Sequence, residues 1–494
     1  MDVLRYSDNS RAKDTFAHDG NIAPEREAAV RQTLLRFAGR EMSDLLKDNP
    51  GLLIIPPDFS SIKDGLARST LFDIGRDDKI QTGNIVGSFG LTDAGVCFSI
   101  HSRFDRDDRQ YFLHYLLQRV WGAHMLDMPT FDDRDPIHDF AVYLFPSALK
   151  MALSKGVFRT YCAFQRDDAH VRGAVSVSRF IRNDMPFAGR VAYDVRERSA
   201  DNSLTQLIRH VIEYIESSEK RGILNSDDGI RAAVSSIRGS TPTYDKGQRS
   251  AVIARNLRPV RHPYYQEYSY LQRLCLQILR GERMSISSTG EHEICGIVFD
   301  VAWLWEEYLA KVMREGIHMG ELCHPQNRVR SCPIYLFEGN RGISYPDFMW
   351  RRKEESEQNY DVIMDAKYKR LSYANGKLRS VSREDRMQMI SYLYATKAER
   401  GVFLFPKSSQ PEGECGDGVA SDADELIVEE EGKSLLVGRM KGLKLENGRS
   451  AEIRVLPFEI PEYSKADSFS VFSRRMKAEE ESFCKLIVSE MAHD

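Results

Sequence analysis

Residues 343–370, ISYPDFMWRRKEESEQNYDVIMDAKYKR, constrain this chain more than any other stretch. They read as two strands joined by a charged hairpin. In the second strand Asp361, Ile363, Asp365 and Lys367 recur with period two and share one face, while Val362, Met364 and Ala366 occupy the other. A strand apolar enough to be buried therefore carries two carboxylates and an ammonium on one side. Burying such charges is costly unless they pair with one another or hold a cation. Asp347, directly after Pro346 in the neighbouring strand, is expected to reach the same point.

Two carboxylates converging with a lysine suit metal-assisted hydrolysis of a phosphodiester. Asp347 and Asp365 would give Mg²⁺ the hard oxygen ligands it prefers, with the carbonyl of Ala366 as a further one. The ion would polarise the phosphate and acidify a bound water. Lys367 would orient or help deprotonate that water, or stabilise charge developing on the phosphate. The spacing alone is a weak signal, since a solvated strand edge carries the same residue types.

The surroundings strengthen it. An amphipathic helix is expected over 297–315, with Ile297, Val301, Leu304, Trp305, Tyr308, Leu309 and Val312 as one apolar stripe ending at Gly316. A second helix over 383–398 puts Gln388 and Tyr392 four residues apart on one face, and GVFLFP (401–406) is a strand. The order α-β-β-β-α-β is the core of the PD-(D/E)XK nuclease fold, and Q-x-x-x-Y after the DxK strand marks its RecB-like branch. Lys367, Lys369, Arg370, Lys377, Arg379, Arg383 and Arg386, against only Glu384 and Asp385, supply local positive charge for a phosphate backbone. A solvated loop and helix face would explain the same run, and Tyr368 and Tyr373 within it would serve packing equally well.

At 494 residues the chain has room for several domains. The pattern suggests a mixed α/β protein in three parts. Residues 1–135 form a strand-rich N-terminal module, with a polar start up to about 25, a helix over 25–47 burying Leu34, Leu35, Phe37, Leu45 and Leu46, and strands at 51–56, 84–91 and 95–102. Thr92, Asp93 and Ala94 are the expected hairpin connection between the last two. A helix follows at 108–122. Residues 136–284 are read as mainly helical, with Asp201, Asn202 or Ser203 capping a helix whose Leu204, Leu207, Ile208, Val211, Ile212 and Ile215 recur at helical spacing. Residues 285–494 form the C-terminal PD-(D/E)XK domain, interrupted by a loop near 408–425 rich in small and acidic residues.

The net charge of −4 argues against a globally basic nucleic-acid coat but leaves a local basic surface open. No apolar run approaches membrane-spanning length and the N-terminus lacks an apolar leader core, so a cytoplasmic protein is expected. The eight cysteines form no CxxC pair and read as free thiols. Cys295, Cys323, Cys332 and Cys484 lack the paired spacing of an iron–sulfur site, and His318 and His324 with Cys323 and Cys332 match no common zinc spacing. Arg172, Arg179, Arg182 and Arg190 make a second basic cluster, readable as a contact for DNA or a partner or as solvated surface.

The chain resembles McrC, the nuclease subunit of McrBC modification-dependent restriction systems. The likeness rests on YPDFMW (345–350), DVIMDAKYK (361–369) and REDRMQMISYLYA (383–395), with VFDVAWLWEEYLAKVM (298–313) upstream and weaker matches in the middle and N-terminal regions. It implies catalysis by Asp347, Asp365 and Lys367 with Mg²⁺, with Gln388 and Tyr392 as site support or DNA contacts and Glu306 as a further acidic ligand on the helix before the strands. It also implies an McrB-like AAA+ GTPase partner, docked on the N-terminal part, which binds GTP, reads 5-methylcytosine in double-stranded DNA and has its hydrolysis stimulated. The chain's own GKS at 432–434 has Ile427 where a phosphate-binding loop needs glycine and Glu429, Glu430 and Glu431 where phosphates would sit, so GTP binding is assigned to the partner. Two other readings stand beside this one: a non-catalytic GTPase-activating scaffold, and a stand-alone RecB-like repair nuclease.

Overall fold

The computed structural model describes residues 2–11, 24–49, 52–55, 69–91, 96–105, 109–121, 136–187, 189–281, 294–325, 332–352, 360–374, 376–408, 426–444 and 450–492. The chain divides into two compact units, Met1–Arg134 together with Gly290–Asp494, and Asp135–Thr289. The N-terminal and C-terminal segments, read from sequence as separate parts, thus build one unit.

One strand explains why. A five-stranded sheet contains β1 (Asp2–Ser7), β2 (Leu52–Ile55), β3 (Ile85–Leu91), β4 (Val96–His101) and β5 (Ile294–Asp300), in the order β1-β4-β3-β5-β2. β5 lies antiparallel to β3 and parallel to β2, so residues from beyond position 290 sit inside the N-terminal sheet. Ile297, expected on the helix, belongs to this strand, and the helix begins at Val301 where Asp300 accepts hydrogen bonds from the Ala302 and Trp303 amides. The polar N-terminus contributes β1, parallel to β4. β3 and β4 pair antiparallel with Leu91 opposite Val96, and their connection, Thr92–Ala94, lies outside the described residues.

Phe72, Phe89 and Phe98 stack in the core of this sheet, with centroids 4.9 to 6.1 Å apart. The expected helix over 25–47 is two helices, Pro24–Phe37 and Met42–Asp48. Gly39, at φ +69°, breaks it, because the left-handed region is open to glycine. Leu34, Phe37 and Leu45 are buried as expected, whereas Leu35 is exposed.

The second sheet has seven strands: β6 (Glu321–Cys323), β7 (Phe348–Arg351), β8 (Val362–Ala366), β9 (Arg400–Ser408), β10 (Glu429–Glu431), β11 (Ser434–Lys444) and β12 (Ser450–Ile460). Their order is β6-β7-β8-β9-β12-β11-β10, with β8, β9 and β12 mutually parallel. Four helices accompany it: α1 (Tyr111–Trp121), α2 (Val301–Gly316), α3 (Arg383–Thr396) and α4 (Phe469–Ala492). Met389, Tyr392 and Leu393 of α3 pack with Met349, Ile363, Phe403 and Val455. Trp305 and Tyr308 of α2 and Phe483 of α4 meet Phe458 on the opposite side, with centroids 5.0 to 5.7 Å apart. Cover on both faces is why β8 reads as nearly continuous apolar sequence. Tyr115, Tyr308 and Arg119 all donate to the buried Glu480 at 2.8, 2.9 and 3.0 Å, which ties α1, α2 and α4 together.

The strand expected over 343–350 is split. Arg341–Ser344 pairs with Ile334–Phe337 as a separate hairpin, and β7 starts only at Phe348. The gap holds Tyr345, Pro346 and Asp347, where proline has no amide hydrogen for a ladder. The GKS triplet is a hairpin turn, since Glu431 pairs with Ser434 and Gly432 has φ +66°. The expected loop near 408–425 falls almost wholly outside the described residues.

The unit Asp135–Thr289 has the expected helices Pro136–Leu153, Ser203–Glu216, Asp228–Ser240 and Glu267–Gly281. Asn202 is the cap of the second, in a reciprocal pair with Thr205. It also has a three-stranded antiparallel sheet, Thr160–Asp168, Val191–Ser199 and Ala174–Val175. The first strand is largely exposed, so it lacks the apolar alternation by which a half-buried strand announces itself. No helix among the described residues is long and apolar enough to cross a membrane.

Candidate active site

The site lies where β8 ends and the Pro346–Asp347 break faces it. Breaking the ladder at Pro346 frees Asp347 to turn inward, and its Oδ2 accepts from the Ala366 amide at 2.7 Å. Asp365 is buried, and its Oδ2 lies 2.6 Å from Lys367 Nζ. Asp347 lies near enough to Asp365 to act on its carboxyl. The amide of Lys367 donates to Leu404 at 2.9 Å, which extends the β8–β9 ladder one residue past the strand. Asp361 is not part of the cluster. It precedes the strand, and its carboxylate accepts from the Arg352 amide at 2.9 Å.

Helix α3 closes one side. Gln388 Nε2 donates to Tyr392 Oη at 2.8 Å, and Ser344 Oγ donates to the same oxygen at 3.3 Å. Tyr392 is buried; burial and the charges of Asp365 and Asp347 push its hydroxyl pKa up. The four-residue spacing thus fixes a hydroxyl that feels the charge of both carboxylates.

Asp385 was not singled out in the sequence, yet it completes the cluster. Its Oδ1 is 3.2 Å from Lys367 Nζ and its Oδ2 is 2.9 Å from Lys369 Nζ. It is also the third residue of α3 and exchanges hydrogen bonds with Ser382, the cap. The S-x-x-D spacing of a capping box was the available signal. Burial raises its pKa, but Lys367 and Lys369 outweigh that and bring it down to about 2. A depressed carboxylate stabilises the fold above its unfolded pKa, near 4, and that stability is lost as pH falls from there through the folded value. Asp385→Asn is therefore expected to cost about 1–3 kcal/mol at pH 7 and much less at pH 2, read from urea midpoints at both pH values.

Burial opposes the charged form of Asp365 and raises its pKa, with Lys367 pulling the other way. Burial likewise opposes the Lys367 ammonium, but Asp365, Asp385 and Asp347 together overcome it and hold the lysine above its ordinary value. Lys367 is thereby a fixed positive charge.

His324 is the second residue the sequence did not single out for the site. Its Nδ1 donates to the Asp347 carbonyl at 2.6 Å, its ring stacks on Phe348 with centroids 4.7 Å apart, and burial lowers its pKa to about 4. Because a carbonyl only accepts, the neutral ring carries its proton on Nδ1 and leaves Nε2 as an acceptor. Nε2 has no hydrogen-bond partner and stands 3.7 Å from Glu306 Oε1 on α2. His324 thus binds the backbone of Asp347 and turns its Nε2 toward the helix carrying Glu306.

The donor set fits a hard divalent cation. Asp347 and Asp365 offer two adjacent carboxyls that, both ionised, would repel without a positive charge between them. No three His, Cys, Asp or Glu side chains among the described residues stand close enough to hold an ion by themselves. Mg²⁺ is commonly held by one or two carboxylates and several waters.

Of the basic run, Lys369 is tied to Asp385, and Tyr368 is buried against the N-terminal segment, so its aromatic ring serves packing. In the middle region Arg179 pairs with Asp194 at 2.7 Å and Arg172 lies 3.6 Å from Asp168.

A family model described as "McrBC 5-methylcytosine restriction system component" matches residues 80–406, about two thirds of the 494 residues. The chain belongs to this McrBC family. The matched span includes Asp347, Asp365, Lys367, Asp385, Gln388 and Tyr392, so the cluster is internal to the family region. Curated proteins give no match. Among solved structures, a chain of a Thermococcus gammatolerans half-complex, McrB AAA+ hexamers with bound McrC, aligns over 96% of this McrBC-family chain and 99% of its own length, at 16% identity and TM-score 0.47. A second, the cryo-EM structure of the Thermococcus gammatolerans McrBC complex, aligns over 65% and 89%, at 14% identity and TM-score 0.31.

Proposed function

We propose that this chain is the McrC-type nuclease subunit of its McrBC system, cutting DNA by Mg²⁺-dependent phosphodiester hydrolysis in the cytoplasm. The observation that carries the reading is the convergence of Asp347, Asp365 and Lys367 at one strand end. Asp347 and Asp365 would hold the ion, with the Ala366 carbonyl and Glu306 as further oxygens at its margin. When bound, Mg²⁺ would polarise the phosphate and acidify an attacking water. Lys367, 2.6 Å from Asp365 and 3.2 Å from Asp385, would orient the water or donate to the phosphate. Gln388 and Ser344 hold Tyr392 Oη in place, where it would help orient a water or phosphate oxygen.

The partner in this reading is an McrB-like AAA+ GTPase that binds GTP and reads 5-methylcytosine in double-stranded DNA. Among the described residues of the first 134, Leu35 is the sole large apolar side chain that is strongly exposed. By contrast Val171, Val175, Val177, Ile181, Met185 and Phe187 are all exposed within 17 residues of the middle unit, Phe187 by 64%. A concentrated apolar patch with interspersed arginines has the composition of a protein interface, whereas DNA-binding faces are polar and strongly basic. We assign it to the GTPase contact. Val177→Ser with Ile181→Ser is expected to weaken stimulation of the partner's GTP hydrolysis at least tenfold while leaving the melting temperature unchanged, measured by titrating the chain into the GTPase.

The whole reading is tested with the purified chain, an McrB-like GTPase, GTP, Mg²⁺ and methylated or unmethylated DNA, comparing wild type with Asp365→Ala. Cleavage that persists in the variant overturns the site assignment. GTPase stimulation without cleavage by wild type favours the scaffold reading, and cleavage without the partner favours the stand-alone nuclease.

A further inference from the structure

We propose that the turn Ser102–Phe104, from the N-terminal segment, is a clamp that positions the Lys367 ammonium by gripping the two residues that flank Lys369. This rests on the nuclease reading above. β8 delivers Asp365 and Lys367 to the site, and the next residue, Tyr368, goes into the protein, where it is buried. Its hydroxyl lies 2.6 Å from Ser102 Oγ, which also accepts from the Phe104 amide at 3.0 Å. Its ring is edge-on to Phe104, with centroids 5.1 Å apart, and the Arg103 guanidinium lies 5.5 Å from its centroid. Arg370 closes the grip by donating to the Arg103 carbonyl at 2.7 Å.

The turn is itself rigidly held. Arg103 is buried and donates to Asp8 at 2.6 and 2.9 Å and to Asn84 at 2.8 Å. Lys367 is consequently fixed at two levels. Its amide is pinned to Leu404, and the chain immediately beyond it is pinned to a turn 266 positions away in sequence. Electrostatic help of the kind assigned to Lys367 depends on placement, and an error of about 1 Å costs about 100-fold in rate. Tyr368, Arg370 and Ser102 are thus positioning residues, and the N-terminal sheet is part of the site's framework.

The test uses Tyr368→Phe and Ser102→Ala, each removing one hydroxyl from the grip, and their double variant, in the full chain with its GTPase partner. Two readouts are taken: the kcat and KM of DNA cleavage, and the rate of reductive methylation of Lys367 relative to Lys47, followed by peptide mass spectrometry. Each single variant is expected to lower kcat about tenfold with KM unchanged. Each should speed Lys367 methylation several-fold, and the double variant should be no worse than the worse single one. Unchanged Lys367 methylation in both singles, or losses in kcat that multiply in the double variant, would overturn the clamp. If wild type cuts no DNA while the methylation rate still responds, the nuclease reading falls and the clamp stands.

Discussion

Replacing Asp365 by asparagine is expected to lower DNA cleavage about 1,000-fold or more while leaving stimulation of the partner GTPase intact. The substitution keeps the side chain's volume and removes its charge. Asp365 is the carboxylate closest to Lys367, at 2.6 Å, and it neighbours Asp347. Its loss weakens the expected cation site and releases Lys367, which keeps Asp385 at 3.2 Å as its remaining close acidic partner. Stability should move the other way or hardly at all, because burial works against an ionised Asp365 in the wild type. Single-turnover cleavage, partner GTP hydrolysis and thermal melting on one preparation separate these outcomes. A large drop in melting temperature together with lost cleavage would mean that the carboxylate holds the fold rather than the ion.

Asp8→Ala has the largest expected effect on stability, about 3–5 kcal/mol. Asp8 and Arg103 are both buried, and the guanidinium is held by two bonds to the carboxylate and one to Asn84. Removing the acid leaves a positive charge away from water with a neutral amide as its remaining side-chain partner among those bonds. Asp8→Leu combined with Arg103→Met should recover most of the loss, because a well-packed apolar pair replaces a buried ion pair without its desolvation cost. Urea unfolding of the three variants checks both statements. Recovery of stability need not restore cleavage, since Arg103 also supports the clamp on Tyr368.

Much of the site was legible in the sequence because it depends on local periodicity. Asp365 and Lys367 share a strand face, and Gln388 and Tyr392 share a helix face, whereas the break at Pro346 that turns Asp347 inward was read as continuous strand. Those relations are set by two residues per strand repeat and 3.6 per helix turn. What escaped depends on chain segments distant in sequence. Asp385 looks like a minority charge in a basic run until the fold puts Lys367 beside it. His324 lies 23 residues before Asp347 and binds its carbonyl, a partner that no side-chain pattern records. Ile297 was assigned to a helix because apolar residues at strand and helix spacing overlap over so short a run, and the strand becomes evident only when β2 and β3 flank it. The sheet of the middle unit escaped for the opposite reason, since its exposed strands alternate nothing apolar.

The interleaving of the two units has a consequence for how the protein is made. Residues 135–289 form a contiguous unit that can fold as soon as it leaves the ribosome. The first 134 residues cannot complete their sheet at that stage, because β5, which joins β2 to β3, ends at Asp300. β2 and β3 emerge early and wait with unpaired edges through the synthesis of some two hundred further residues, a state that invites mispairing. Cutting the chain at residue 289, where the middle unit ends, would remove β5 from the sheet of one fragment and orphan it in the other. A product that ends before β5 thus lacks the strand that joins β2 to β3 as well as Asp347, Asp365 and Lys367.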